Sequence, residues 1–304
     1  MIPHHVSGFW VPIFKGSPIF SGSLGAGLTL YPPAKFILSY DKRHSECKFV
    51  FNSRCIDELG LLKTIDTIIG EEKLNITIKG QGIGNLGLGY GLSSAIAIAY
   101  SYAKLITVSL KHSIRLTKAG IIAHIAEVLN LTGLGDVIAE IYGGGLVIRL
   151  RPGPPTIGII DSIPLSNVYV LVCELRGILK PTPQMLSESL NKQIKFGLLA
   201  YKNFIKNPCV ESFLDEAYKF SKEVGFLTND LDKRVRALLK PYIKSGCVLG
   251  YYVKKSLLLV VVECGCVNEV KTVLSNFCKP KLLTPTQLGT LVLGRLGKNT
   301  EESS

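Results

Sequence analysis

The stretch GLGYGLSSAIAIAYSYAKL, residues 87–105, governs how the rest of the chain is read. Gly87, Gly89, Gly91 and two serines, Ser93 and Ser94, stand directly before an apolar run of small residues. The run, followed out to residue 110, reads as a buried helix. It carries Ser101, Lys104, Thr107 and Ser109 besides the two serines, which sets it apart from a membrane span. A helix start leaves backbone N–H groups without partners and bears the positive end of the helix dipole. Glycines there let phosphate oxygens approach the backbone, and the Ser93 and Ser94 hydroxyls suit phosphate or magnesium. The competing explanation is a tight turn that uses small residues for close packing. No GK[ST] follows, so the loop is not a Walker loop. No acidic residue follows about 20 positions on at a strand end, so it is not a dinucleotide fingerprint.

A second cluster lies downstream in AHIAEVLNLTGLGDVIAEIYGGGLVIRL, residues 123–150. His124 and Glu127 are three apart and share a helix face. Asp136 follows Gly133 and Gly135, and Arg149 sits on the strand beyond. An acid on a glycine-rich turn suits a general base or a magnesium-facing group. Taken singly, Asp136 reads equally as a helix N-cap, Glu127 as a solvated carboxylate and Arg149 as a surface cation.

Outward from these clusters, the 304 residues allow one large domain or two lobes. Apolar residues at 47% and charged residues at 19% exclude a disordered chain. The balance is basic, 35 Lys+Arg against 23 Asp+Glu, but without a basic run. That argues against a nucleic-acid partner and suits anionic small molecules. The N-terminus lacks a signal-peptide pattern, and a cytoplasmic protein is expected. The eight cysteines form no CxxC pair, so zinc spacing is absent. Cys173 and Cys264 fall in apolar runs and read as buried free thiols, with a disulfide left open.

The hydrophobic pattern predicts strands over 74–80, 143–155, 168–175 and 256–264. It predicts helices over 116–130, 210–224, 230–243 and 267–277, and another within 185–205. A composition shift over 157–167 divides the chain into residues 1–165 and 166–296, with a disordered tail at 297–304. This order of elements suggests an α+β fold with two lobes.

The Gly-Ser loop and the later Glu…Gly-x-Gly-Asp together resemble the GHMP kinase superfamily, whose loop reads P-x-x-x-G-L-G-S-S-A. GYGLSSA (89–95) aligns with it without a gap, although the upstream proline is missing and Leu92 replaces the first serine. VSGFW (6–10), SGSLGAG (21–27), AHIAEV, TGLGDV and RPGPP look like the archaeal pantoate kinase branch. The likeness is good from 6 to 155 and loose beyond. It implies a two-lobed fold with a ribosomal protein S5 domain 2-like N-terminal lobe and an α/β C-terminal lobe. It implies transfer of the ATP γ-phosphoryl to the 4-hydroxyl of pantoate, giving 4-phosphopantoate for coenzyme A biosynthesis. Gly87, Gly89, Gly91, Ser93 and Ser94 would hold the phosphates, Ser93 and Glu127 Mg²⁺, and Asp136 would be the catalytic aspartate. Ser23, His124, Arg149 and Thr182 match acceptor-contacting positions, and the planar fork of Arg149 suits a carboxylate. The family's third, glycine-rich motif is reduced to SGCVLGYY (245–252), and Leu24 stands where a basic residue is usual. A small-molecule substrate is expected, with neither nucleic acid nor membrane as partner; a homodimer is allowed. The alternatives are a GHMP kinase for homoserine or an isoprenoid alcohol, and a non-catalytic ligand-binding paralogue.

Overall fold

Two long strands open the chain, β1 (Ile2–Ile13) and β2 (Gly22–Tyr40), paired antiparallel from Ile2↔Ala34 to Ile13↔Gly22. The computed structural model describes residues 1–40, 46–70, 76–106, 110–175 and 182–293, with side chains in the last segment from 189. After β2 come β3 (Phe49–Phe51), β4 (Arg54–Cys55), α1 (Gly60–Ile69) and β5 (Ile76–Gln81). Then follow α2 (Leu92–Lys104), α3 (His112–Leu129), α4 (Asp136–Tyr142), β6 (Leu146–Arg151) and β7 (Ile159–Ile163). The second half contains β8 (Val168–Glu174), α5 (Thr182–Lys206), α6 (Val210–Glu223) and α7 (Asn229–Lys244). It ends with β9 (Val248–Lys254), β10 (Leu257–Glu263), α8 (Val267–Ser275) and β11 (Lys281–Pro285).

The strands form one sheet in the order β4-β3-β5-β2-β11-β8-β10-β9, with β1 and β6 on β2 and β7 on β6. The length of β2 lets it change partner along its course. Gly25–Leu28 face β6, Leu30 and Tyr31 face β11, and Lys35–Tyr40 face β5. β1 is buried almost throughout, because α5, α6, α4 and α2 all pack against it. Its side chains on both faces therefore serve the interior, including two histidines. This is the expected α+β, two-lobed architecture.

The elements follow the hydrophobic pattern closely. α2 stops at Lys104, short of residue 110, and residues 107–109 lie outside the described set. Lys104 pairs there with Asp66 at 3.0 Å, a cation where the dipole favours one. The first strand after α1 is described from Ile76, and residues 74 and 75 of the expectation lie outside the described set, as does the tail 297–304. The thiol expectation is corrected. Cys173, on β8, is bonded to Cys278 just beyond α8, and Cys47–Cys55 and Cys247–Cys266 are also disulfides. Cys264 is free but exposed, because β10 has ended and the chain has turned outward.

Candidate active site

The loop before α2 forms because Gly91 takes φ +79° at the helix cap, a conformation that costs an L side chain energy. A Cβ at Gly91 would also lie 2.3 Å from Glu140 Oε1 and 3.1 Å from the His5 carbonyl. Gly87, at φ +87°, has open space where a Cβ would stand. The loop edges a cavity of about 450 Å³, lined among others by Gly87, Gly89, Gly91, Ser93, Asp136, Lys254 and Lys255. A smaller cavity of about 50 Å³ adjoins it, lined by Ser7, Trp10, Ser23, Gly135 and Arg149. Asp136, Thr132, Lys254 and Lys255 line both.

Asp136 is the hinge between the two spaces. Gly135 caps α4, so Asp136 is not the N-cap. Its carboxylate instead meets the His5 ring, Oδ1 lying 2.6 Å from Nδ1, with Lys254 Nζ 3.8 Å from the same oxygen. The other ring nitrogen of His5 lies 3.2 Å from Arg149 Nη1. Lys254 also donates to the His5 carbonyl at 3.4 Å. Burial pushes the Asp136 carboxyl up, but the Lys254 charge, the His5 hydrogen bond and Arg149 outweigh it and hold it well below the usual range. It is ionised at neutral pH. Burial lowers His5 to about 4, with Asp136 opposing, so the ring is neutral. Burial lowers Arg149 to about 10, also opposed by Asp136, and it remains a cation. Its Nε is buried without a hydrogen-bond partner, and a Cβ on Gly135 would lie 2.7 Å from it and 2.6 Å from Ser23 Oγ.

Two further carboxyls lie beneath the loop. Glu127 is 1% exposed. Its Oε1 accepts from Thr132 at 2.7 Å, and its Oε2 has no hydrogen-bond partner. Burial pushes it up to about 7; the Thr132 hydrogen bond opposes the shift, and the Asp136 charge adds to it. A Cβ at 133 would collide with Glu127 Oε2, so a larger residue there would have to displace that carboxyl. Glu140 is fully buried, and burial, then the Asp136 charge, raises it well above the carboxylate range. The site therefore holds a fixed anion at Asp136, cations at Arg149 and Lys254, and two carboxyls whose charge is suppressed.

No protein-family model matches the chain. A pantoate kinase from Methanospirillum hungatei is 30% identical over 303 residues, spanning 96% of this chain and 94% of the relative. The chain belongs to the pantoate kinase family. A second pantoate kinase, from Thermococcus kodakarensis, is 29% identical over 253 residues, spanning 79% of this chain and 80% of the relative. A solved "phosphotransferase related to CoA biosynthesis pathway" superposes with a TM-score of 0.79 at 23% identity, over 95% of each chain. The two-lobed GHMP kinase fold follows.

In this pantoate kinase relative the structure brings Gly87, Gly89, Gly91, Ser93, Asp136, Ser23 and Arg149 around two adjoining cavities, with Glu127 beneath Gly133. Arg149 is buried rather than on the surface, and Glu127 is not solvated. Ser94 differs from expectation: its hydroxyl is buried and donates to the Gly91 carbonyl at 2.6 Å, so it braces the turn instead of facing the cavity. His124 differs too. It is 1% exposed, its ring bonds the Ser21 carbonyl at 3.0 Å, and it supports the segment before β2 from behind. Thr182 begins α5, and its side chain lies outside the described residues.

The reduced third motif lies largely in a strand. SGCVLGYY passes into β9, where Gly250 packs on Leu214, and it forms no glycine-rich loop. The β9–β10 turn just after it reaches the site, through Lys254 and Lys255. Both lysines, like His5, Ser7 and Trp10, escaped the sequence reading. The available signals were the adjacent lysines of VKKS between two apolar strands, and the histidine pair directly before VSGFW. No helix among the described residues is long and apolar enough to cross a membrane.

Proposed function

We propose that this protein transfers the γ-phosphoryl group of ATP to the 4-hydroxyl of pantoate. One observation carries the reading: the ionised Asp136 stands at the junction of a glycine-lined cavity and a small cavity that holds an unpartnered arginine N–H. The first suits polyphosphate, and the second suits the carboxylate end of a hydroxy acid. The open space at Gly87 leaves backbone free to meet phosphate oxygens. Arg149 anchors the acceptor carboxylate, with Ser23 beside it. Asp136 accepts the hydroxyl proton as the acceptor oxygen attacks, and Lys254 and Lys255 stand beside the phosphoryl path. Positioning and charge stabilisation dominate such transfers.

The residues present fit a divalent cation. Glu127 is buried with one oxygen unsatisfied and its pKa pushed up to about 7, which a cation would reverse, and Ser93 stands nearby at the cavity. Glu127 and Ser93 would hold Mg²⁺, which supplies charge neutralisation for phosphate oxygens. Release of ADP from ATP and Mg²⁺ should require pantoate and should not respond to homoserine or mevalonate. Equal turnover with mevalonate would overturn the acceptor assignment.

A further inference from the structure

Through its ring, His5 touches both the proposed base and the proposed carboxylate anchor. It is 0% exposed and lies on β1, opposite Thr29 of β2. Gly27 leaves room for its ring, since a Cβ there would lie 2.6 Å from Nε2. Its backbone abuts Gly91 of the glycine loop, and its carbonyl takes Lys254.

The hydrogen-bond chemistry leaves one tautomer. A guanidinium only donates, so Nε2, 3.2 Å from Arg149 Nη1, must accept. The ring proton is therefore on Nδ1, which donates to Asp136 Oδ1 at 2.6 Å. A ring locked this way cannot relay a proton. Its acceptor nitrogen is taken by Arg149, and its donor is already spent on the carboxylate. It acts as a strut. His5 and Lys254 both engage Oδ1, so Oδ2 is the oxygen left for an acceptor hydroxyl. On the far side, holding Nη1 fixes the guanidinium with its unpartnered Nε beside Ser23 and Gly135.

We propose that His5 is a positioning residue that sets Asp136 and Arg149 at a fixed separation, and so selects acceptors whose hydroxyl and carboxylate match that span. The proposal rests on the kinase function argued above. Two variants and one spectrum test it. In His5→Asn the amide N–H takes the place of Nδ1–H toward Asp136, and nothing reaches Arg149. The expected result is a kcat close to wild type, a KM for pantoate raised about tenfold, and an unchanged KM for ATP. His5→Ala removes both bonds and should lower kcat on the order of 10–100-fold, the loss expected for a charged hydrogen bond, while also raising the KM for pantoate. A side chain that only fills space would give two variants with matching kinetics, and that outcome overturns the proposal. Nitrogen-15 shifts of the unmodified protein at pH 7 should show His5 neutral and protonated at Nδ1. An Nε2–H tautomer or an imidazolium there would overturn it even if neither variant folds. If the unmodified enzyme releases no ADP with pantoate, the function argued above fails, and the spectrum still decides whether His5 is the strut.

Discussion

Asp136 carries its charge beside a neutral ring and two cations, in a place only partly open to water. Asp136→Asn keeps an acceptor for His5 but removes the charge. General-base assistance is worth about 10²–10⁴-fold, so kcat should fall by that order. The melting temperature should fall as well, because Lys254 and Arg149 lose their counter-charge. A variant with near-normal kcat would leave Asp136 a structural ion-pair partner. His4 makes a separate prediction. Its Nδ1 bonds the Tyr90 carbonyl at 3.2 Å, its Nε2 has no partner, and burial lowers it to about 4. A histidine held below its ordinary 6.5 contributes stability that is complete above pH 6.5 and is lost as pH falls toward 4. The shift corresponds to roughly 3 kcal/mol at most. His4→Asn should flatten the fall in melting temperature between pH 6.5 and 4.5, as read by circular dichroism. An equally steep fall would place the acid sensitivity elsewhere. Asp136, Glu127 and Arg149 were legible because each sits in a short motif. His5 and Lys254 were not, because they meet Asp136 and each other across 131 and 249 residues.

The glycines before α2 separate into two kinds once the helix is seen in place. Gly91 is demanded by its own backbone and by the Glu140 oxygen above it, whereas Gly87 faces open space. Gly91→Ala should therefore unfold at clearly lower temperature than Gly87→Ala, for which backbone strain alone costs about 1–2 kcal/mol. Gly87→Ala should chiefly raise the KM for ATP. Equal melting points and an unchanged KM would mean that the loop is only a packing turn. Periodicity revealed most of the helices, and the strands at Ile76–Gln81, Leu146–Arg151, Val168–Glu174 and Leu257–Glu263, since the apolar face of each packs on its neighbours. The role of SGCVLGYY was not legible, because a glycine that admits a neighbouring leucine looks, in sequence, like one that admits a phosphate.

Across the whole molecule the disulfides set a hierarchy. Cys173–Cys278 spans 105 residues and ties β8 to the end of α8, and Cys47–Cys55 spans 8. Loop-closure entropy assigns about 4.7 kcal/mol to the longer span and about 2.5 to the shorter. Cys278→Ser should lower the melting temperature more than Cys55→Ser, and a reductant should erase the difference. Equal losses would show that the long loop is already restrained without its bond. Two lobes were legible from the order of elements, but the pairing of thiols was not, because partners far apart in sequence become neighbours only when the sheet closes.

β11 joins that sheet by pairing Lys281–Leu283 with β8 and Thr284–Pro285 with β2. It is the last strand among the described residues, yet it stands in the middle of the sheet order. A ribosome therefore finishes every flanking strand before it makes the one that joins them. Until then β2 and β8 hold open edges toward each other, the state most exposed to mispairing with another nascent chain. The two halves of the sheet can close on each other only once Lys281–Pro285 has been made.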